Sequence, residues 1–175
     1  LIYVRDEDFY RPLPPELGGS ESPDGRVKVM AFPPLGIETL APVVREAGHE
    51  VRMFDTCHPR MKPDNIADAL LEDRPDVIAL SFLSTTSYPT TKEMAARLKA
   101  VAPDTPIILG GVFASMNARQ ILGDCPHADA VGKGEGEELL PDYLDHVDDP
   151  GAVQGLVWRN GDEIVENMPR PLVRD

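Results

Sequence analysis

Residues 76–83, DVIALSFL, form a near-continuous apolar run that ends in a hydroxyl cluster, STTS at 84–87. A strand that alternates apolar and polar residues has one wet face; a strand apolar at nearly every position is covered on both. A second run of this kind, TPIILGG, follows at 105–111. Between them, YPTTKEMAARLKAVAP (88–103) sets Met94, Leu98 and Val101 on one helical face. Two covered strands joined through a helix imply a parallel pair with a right-handed crossover.

The pattern extends in both directions. Upstream, HEVRMFD (49–55) reads as a strand and KPDNIADALLEDRP (62–75) as an amphipathic helix with Ile66, Ala69 and Leu70 inward. Before them, RVKVMAF (26–32) reads as the first strand. GIETLAPVVREAG (36–48) reads as its helix, with Ile37, Leu40, Val43 and Val44 on one face and Gly48 as the stop. Pro42 bends this helix unless it lies near the first turn. Downstream, NARQILGD (117–124) is a short helix, and ADAVGKGEGEELLPDYLDHV (128–147) supplies a last strand, a glycine-rich turn and a helix. Five strands alternating with five helices predict a doubly wound α/β fold. Its five-stranded parallel sheet has the flavodoxin-like or Rossmann-like order 2-1-3-4-5. GLVWRNGDEIVEN (155–167) adds a C-terminal β-hairpin, with a type I′ turn signal at Asn160-Gly161. The expected organisation is an irregular arm over 1–25, the α/β domain over 26–150, and a hairpin and linker over 151–175.

Composition narrows the function. The 175 residues are 42% hydrophobic and 27% charged, with a net charge of −13. That balance opposes binding to nucleic-acid phosphates or anionic lipid, so neither nucleic acid nor membrane is an expected partner. No apolar run approaches the roughly 18 residues of a membrane span, and the start does not read as a signal peptide. The expected compartment is the cytoplasm. Two cysteines make no disulfide framework. Cys57-His58 and Cys125-x-His127 lack zinc-site spacing, so no metal ligands and no catalytic residues are assigned. The absent initiator Met and the open-ended MPRPLVRD suggest a piece of a longer enzyme.

In such a sheet ligands sit at the C-terminal strand ends. Pro33-Pro34-Leu35-Gly36 carries no G-x-G-x-x-G and no phosphate loop. Hydroxyls cluster over Ser81–Ser87, and glycines recur at Gly110-Gly111 and in GKGEGEE (132–138). Glycine admits close backbone approach, and serine and threonine add small donors and acceptors.

Together, PPLGIETLAPVVREAGHEVRMFD, PDVIALSFLSTT, PIILGGVFAS and ADAVGKGEGEELL resemble the cobalamin-binding (B12-binding) domain. The form resembled is the one found N-terminal in B12-dependent radical S-adenosylmethionine (SAM) enzymes. GLVWRNGDEIVENMPRP resembles the connector toward their radical domain. The resemblance implies a cobalamin lying across the strand ends, its nucleotide tail threaded beside the sheet. Ser81 and Leu83 match the family's Ser-x-Leu, with Phe82, Ser84 and Thr85 alongside. Gly110 and Gly111 match its Gly-Gly, followed by Val112 and Phe113. Gly132, Gly134 and Glu135 match its Gly-x-Gly-Glu turn, and Pro34, Leu35 and Gly36 are assigned to the corrin seat. Registering the family's Asp-x-His-x-x-Gly on Gly36 puts Ala31 at the Asp and Pro33 at the His. The implied cobalt is therefore base-off, without a histidine ligand. His58, one joint away, is the nearest rival.

The implied parent is a B12-dependent radical SAM enzyme, a methyltransferase in the first reading. A radical SAM cyclase of tetrapyrrole type and a non-catalytic cobalamin-binding or sensing module are the alternatives. A parent of this kind also carries a 4Fe-4S cluster and S-adenosylmethionine. Its radical SAM domain needs three cysteines, spaced C-x-x-x-C-x-x-C, and this chain has two.

Overall fold

The computed structural model describes residues 1–6, 10–12, 26–28, 34–58, 61 and 63–171. In chain order the strands are β1 (Ile2–Tyr3), β2 (Tyr10–Pro12), β3 (Arg26–Lys28), β4 (Phe54–Asp55), β5 (Ile78–Ser81), β6 (Ile107–Gly110), β7 (Ala130–Gly132), β8 (Leu156–Asn160) and β9 (Glu163–Glu166). The helices are α1 (Leu35–Glu46), α2 (Pro63–Asp73), α3 (Tyr88–Val101), α4 (Val112–Asp124) and α5 (Gly136–Asp145). One sheet runs β4-β1-β5-β6-β7-β8-β9. Its first five members are parallel, in the expected order 2-1-3-4-5. β8 and β9 continue it antiparallel.

The first strand is not the one expected. Ile2–Tyr3, inside the stretch read as an irregular arm, fills the central place: Ile2 pairs with Phe54 on one side and Leu80 on the other. Arg26–Lys28, read as part of that strand, instead pairs antiparallel with Tyr10–Pro12 in a separate two-stranded ribbon. Residues 29–33 lie outside the described residues. The physical reason is visible in the composition. A central strand is buried on both faces, and the LIYV segment is wholly apolar, with Ile2 and Val4 fully buried. RVK carries two charges in three residues and suits a ribbon better than the middle of a covered sheet.

Each sheet face has its own core. On one, α2, α3 and α4 bring Ile66, Leu98 and Ile121 onto Ile2, Leu80 and Leu109. On the other, α1 and α5 bring Val44, Leu139 and Tyr143 onto Ile108 and Ala130. Helix α1 stops where expected: Gly48 has φ 98°, open to glycine at no steric cost, and its amide donates to the Arg45 carbonyl. The hairpin forms, but its turn differs. Asn160 pairs with Glu163, so Gly161-Asp162 is the two-residue loop. Only Gly161 has positive φ, 61°. A type I′ turn needs it at both positions, so the sign pattern is that of type II′, with glycine first.

Candidate functional site

The face of the sheet under α1 and α5 is built from small residues toward its C-terminal edge. Ala79 and Ser81 of β5, Gly110 of β6, and Ala130 and Gly132 of β7 alternate onto that side, as Ile108 and Ala130 in its core require. Ser81 and Gly110 are register partners. Leu109 and Val131 are partners one residue back, so Gly110 and Gly132 lie side by side. Ser81, Gly110 and Gly132 thus form one row across three strand ends, without a bulky side chain. A helix layer resting on such a row leaves a gap. The gap is a cleft of about 510 Å³, floored by this row and walled by Ile37 and Leu40 of α1 and Leu139 and Leu140 of α5. Glu135 and Glu137 stand at its rim. Thr39 of α1 donates to the Gly36 carbonyl at 3.0 Å and lies 3.4 Å from a Glu137 carboxylate oxygen of α5.

The glycines divide by cause. A Cβ on Gly111, whose φ is 107°, would lie 2.1 Å from the Phe82 carbonyl oxygen. That glycine is demanded by the fold. Gly132 and Gly136 are crowded at 2.9 Å by the tips of Leu139 and Leu40. Gly110 is different. Its φ is not positive, and apart from its chain neighbours no atom of the described residues lies within 4 Å of where its Cβ would be. Nothing among the described residues demands glycine there; the space it leaves opens into the cleft. A flat, largely apolar ligand edge laid on the row would use that space, and Ser81 would offer it a hydroxyl.

Of the sequence-assigned residues, the cleft gathers Gly36, Ser81, Gly110, Gly111, Val112, Gly132, Gly134 and Glu135. The others stand elsewhere. Pro34 caps α1, its carbonyl accepting from the Ile37 and Glu38 amides at 3.0 and 3.1 Å. Leu35 and Leu83 are exposed. Phe82 is buried in the opposite core, its ring 5.9 Å from Tyr88 and 6.0 Å from Phe113. Thr85 is exposed on the loop after β5. Ser84 is engaged within that loop's own network. Its hydroxyl and that of Thr86 both donate to the Asp6 carboxylate, Thr86 at 2.5 Å. Ser87 Oγ donates to the Ser84 carbonyl at 2.9 Å and accepts from the Ser84 amide at 3.1 Å.

Asp6 is the residue that sequence reading missed. It is buried, 2% exposed, just past the end of β1. A buried carboxylate persists when hydroxyls or cations satisfy it. Here the two hydroxyls come from the loop that β5 feeds. The signal was available only to a reading that placed the first strand at LIYV. The nearby Tyr3 phenol has its pKa raised, by burial first and then by the charges of Cys57, Asp6 and Asp55. Other cleft residues missed by sequence are Ile37, Leu40, Ala79, Ser115, Met116 and Leu139. Ile37, Leu40, Ala79 and Leu139 fall on helix faces and strand positions that read as ordinary core; Ser115 and Met116 lie ahead of the helix read at 117–124, because α4 begins five residues earlier, at Val112. Among the described residues no group of three or more His, Cys, Asp or Glu could hold a metal ion. No described helix is long and apolar enough to cross a membrane.

Comparison with known proteins identifies the family and the fold. The family model of the B12 binding domain matches residues 28–144. The match begins in the charged ribbon, so β1 lies ahead of it; the pairing of Ile2 assigns β1. The anaerobic magnesium-protoporphyrin IX monomethyl ester cyclase of Cereibacter sphaeroides is 27% identical over 83% of this chain and 25% of its own. The cytidylyl-2-hydroxyethylphosphonate methyltransferase of Streptomyces wedmorensis is 26% identical over 80% of this chain and 30% of its own. The hopanoid C-3 methylase of Methylococcus capsulatus is 32% identical over 74% of this chain and 25% of its own. This chain therefore spans about a quarter to a third of the curated relatives' length. Among solved structures, the apo, selenomethionine-labelled cobalamin-dependent S-adenosylmethionine radical enzyme OxsB superposes with a TM-score of 0.67. It does so at 21% identity, over 79% of this chain and 20% of that one, a likeness of fold.

Proposed function

Because the chain belongs to the B12-binding domain family, we propose that its cleft holds cobalamin as the cofactor domain of a B12-dependent radical SAM enzyme. The observation that carries this is the Ser81–Gly110–Gly132 row, with space at Gly110 that the fold itself does not use. Residues of the row would lie against the cofactor's nucleotide tail, and Ser81 would bond it. Ile37, Leu40, Leu139 and Leu140 would enclose it and exclude water. A bound cobalamin supplies a cobalt that can accept and release a methyl group.

We further infer a base-off cobalamin without a protein imidazole. Gly36 no longer sets the register for a histidine ligand, because the first strand is β1 and the joint after it begins at Val4–Asp6. That joint brings no imidazole either, since the first histidine of the sequence is His49, beyond α1. His58 lies exposed in the turn after β4, one strand over from β1.

The parent reaction we assign is methyl transfer, as in the names of the methyltransferase and methylase relatives. The second reading is cyclisation of a tetrapyrrole, favoured by the cyclase relatives from Cereibacter and Synechocystis. In both readings the 4Fe-4S cluster and S-adenosylmethionine belong to a radical SAM domain outside the 175 residues, toward which residues 151–175 lead. The two cysteines here, Cys57 after β4 and Cys125 after α4, are both buried, and two cannot supply its three thiolates.

The test is an absorbance spectrum after mixing the protein with hydroxocobalamin and desalting. Stoichiometric corrin absorbance is expected, with band positions unchanged in His58→Ala. Complete loss of corrin from both this chain and its full-length parent refutes the cofactor reading. A band shift in His58→Ala refutes the ligand-free cobalt.

A further inference from the structure

Helix α4 is two pieces. Asn117 has φ −126° and ψ 23°, outside helical values, and its side-chain amide donates to the Phe113 carbonyl at 2.9 Å. Gly111, with φ 107°, precedes the helix. Residues 112–116 are therefore a single turn between two non-helical residues. The turn keeps its own bond, from the Ser115 amide to the Gly111 carbonyl at 2.9 Å. It presents Val112 and Met116 at the cleft, 62% and 80% exposed. Opposite stands the loop from β7 to α5, where Gly134 has φ 93° and open space around it. One side chain joins the two. Ser115 Oγ accepts from the Gly134 amide at 3.2 Å and lies 3.4 Å from the Gly132 carbonyl, to which it donates.

We propose that Ser115 is a positioning residue: its hydroxyl latches the 112–116 turn to the Gly132–Gly136 loop and so sets how long a ligand stays in the cleft. This rests on the reading that the cleft holds cobalamin. Three observations converge on it. Both latched segments line the cleft. The turn is bounded by Gly111 and Asn117, both outside helical values, and the loop between β7 and α5 turns at Gly134, with φ 93°. The exposed Val112 and Met116 ride on the latched turn, so opening it would swing apolar side chains off the ligand and admit water.

The experiment uses the 175-residue chain, hydroxocobalamin as the probe, and the Ser115→Ala and Ser115→Thr variants, with folding checked by circular dichroism. Without ligand, amide exchange at Gly134 is expected to be about fivefold faster in Ser115→Ala, the factor of one lost hydrogen bond. Release of corrin to a scavenger is expected to rise by a similar factor, about fivefold, with the association rate little changed. Ser115→Thr, which keeps the hydroxyl, is expected to restore both. Equal release rates in wild type and Ser115→Ala, or unchanged Gly134 exchange, overturn the latch while leaving the cofactor reading intact. Should the 175-residue chain release corrin, the same variants are compared in the full-length parent; failure of both wild-type proteins to retain corrin overturns the cofactor reading, and the latch's role in ligand residence falls with it.

Discussion

Gly110 and Gly111 are neighbours with opposite reasons for being glycine, and replacing each in turn separates ligand space from fold. At Gly111 any Cβ sits 2.1 Å from the Phe82 carbonyl oxygen, in a backbone region that side chains avoid. Strain of this kind costs about 1–3 kcal/mol before the clash is counted. We expect Gly111→Ala to lose about 3 kcal/mol or more, lowering Tm by roughly 6–12 °C at this chain length. At Gly110 the new Cβ meets, chain neighbours aside, no atom of the described residues within 4 Å. Strand positions favour a β-branched residue over glycine by up to about 1 kcal/mol. Gly110→Val is therefore expected to leave Tm unchanged or raise it by roughly 2–4 °C, while three carbons occupy the floor of the cleft. Corrin retention after desalting is expected to fall at least about tenfold, equivalent to about 1.4 kcal/mol, with Gly110→Ala intermediate. The assays are a thermal melt and a corrin absorbance titration on the same preparation. A Gly110→Val protein that melts normally and binds hydroxocobalamin with wild-type affinity would refute the assignment of this row to the ligand. A Gly111→Ala protein with an unchanged melt would refute the close approach of Gly111 to Phe82.

Three further outcomes are expected. Asp6→Ala removes the acceptor for the Ser84 and Thr86 hydroxyls, so urea denaturation should show a loss of about 3 kcal/mol, from about 1.5 kcal/mol for each bond to a charged group; a loss under about 1 kcal/mol would show that the loop holds itself. Arg170 bonds Asp142 and approaches Glu138 at 3.6 Å, with its side chain 17% exposed and both carboxylates more so; Arg170→Ala should cost about 1 kcal/mol or less and speed amide exchange at Gly155, which donates to the Met168 carbonyl, and unchanged exchange would mean the tail is not held by this contact. His146 has its pKa raised above 6.5 by the Asp142 carbonyl first, then by the nearby aspartates; a raised folded value means its stabilisation is fully present below 6.5 and disappears as pH rises through the folded pKa. Thermal melts across that window should therefore decline slightly with rising pH in wild type and not in His146→Gln.

The order of elements was legible without coordinates, because burial on two faces leaves a mark that needs no partner to be seen. DVIALSFL and TPIILGG could only be covered parallel strands, and α2, α3 and α5 begin within a few residues of where their apolar spacing places them. The helix stop at Gly48 and the hairpin near Gly161 were legible for the same reason, since both are local backbone chemistry. The resemblance to B12-binding domains stood on the strand ends, and its glycines do line the cleft.

Everything that depends on which segment fills a place was decided by the tertiary structure. LIYV and RVKVMAF are both short and β-rich, and local propensity does not choose between them. Competition for the centre of the sheet does, because it excludes Arg26 and Lys28 and admits Ile2 and Val4. That choice carried Asp6 to the edge of the β5 loop, where Ser84 and Thr86, read as ligand hydroxyls or as loop, bond a carboxylate some 80 positions earlier. The difference between Gly110 and Gly111 was equally hidden. Two adjacent glycines are identical in sequence, and only the packing around them shows that one is required by a carbonyl and the other faces open space. Periodicity reports what a residue must avoid, which is water. Which neighbour it meets instead is settled only when the chain has closed on itself.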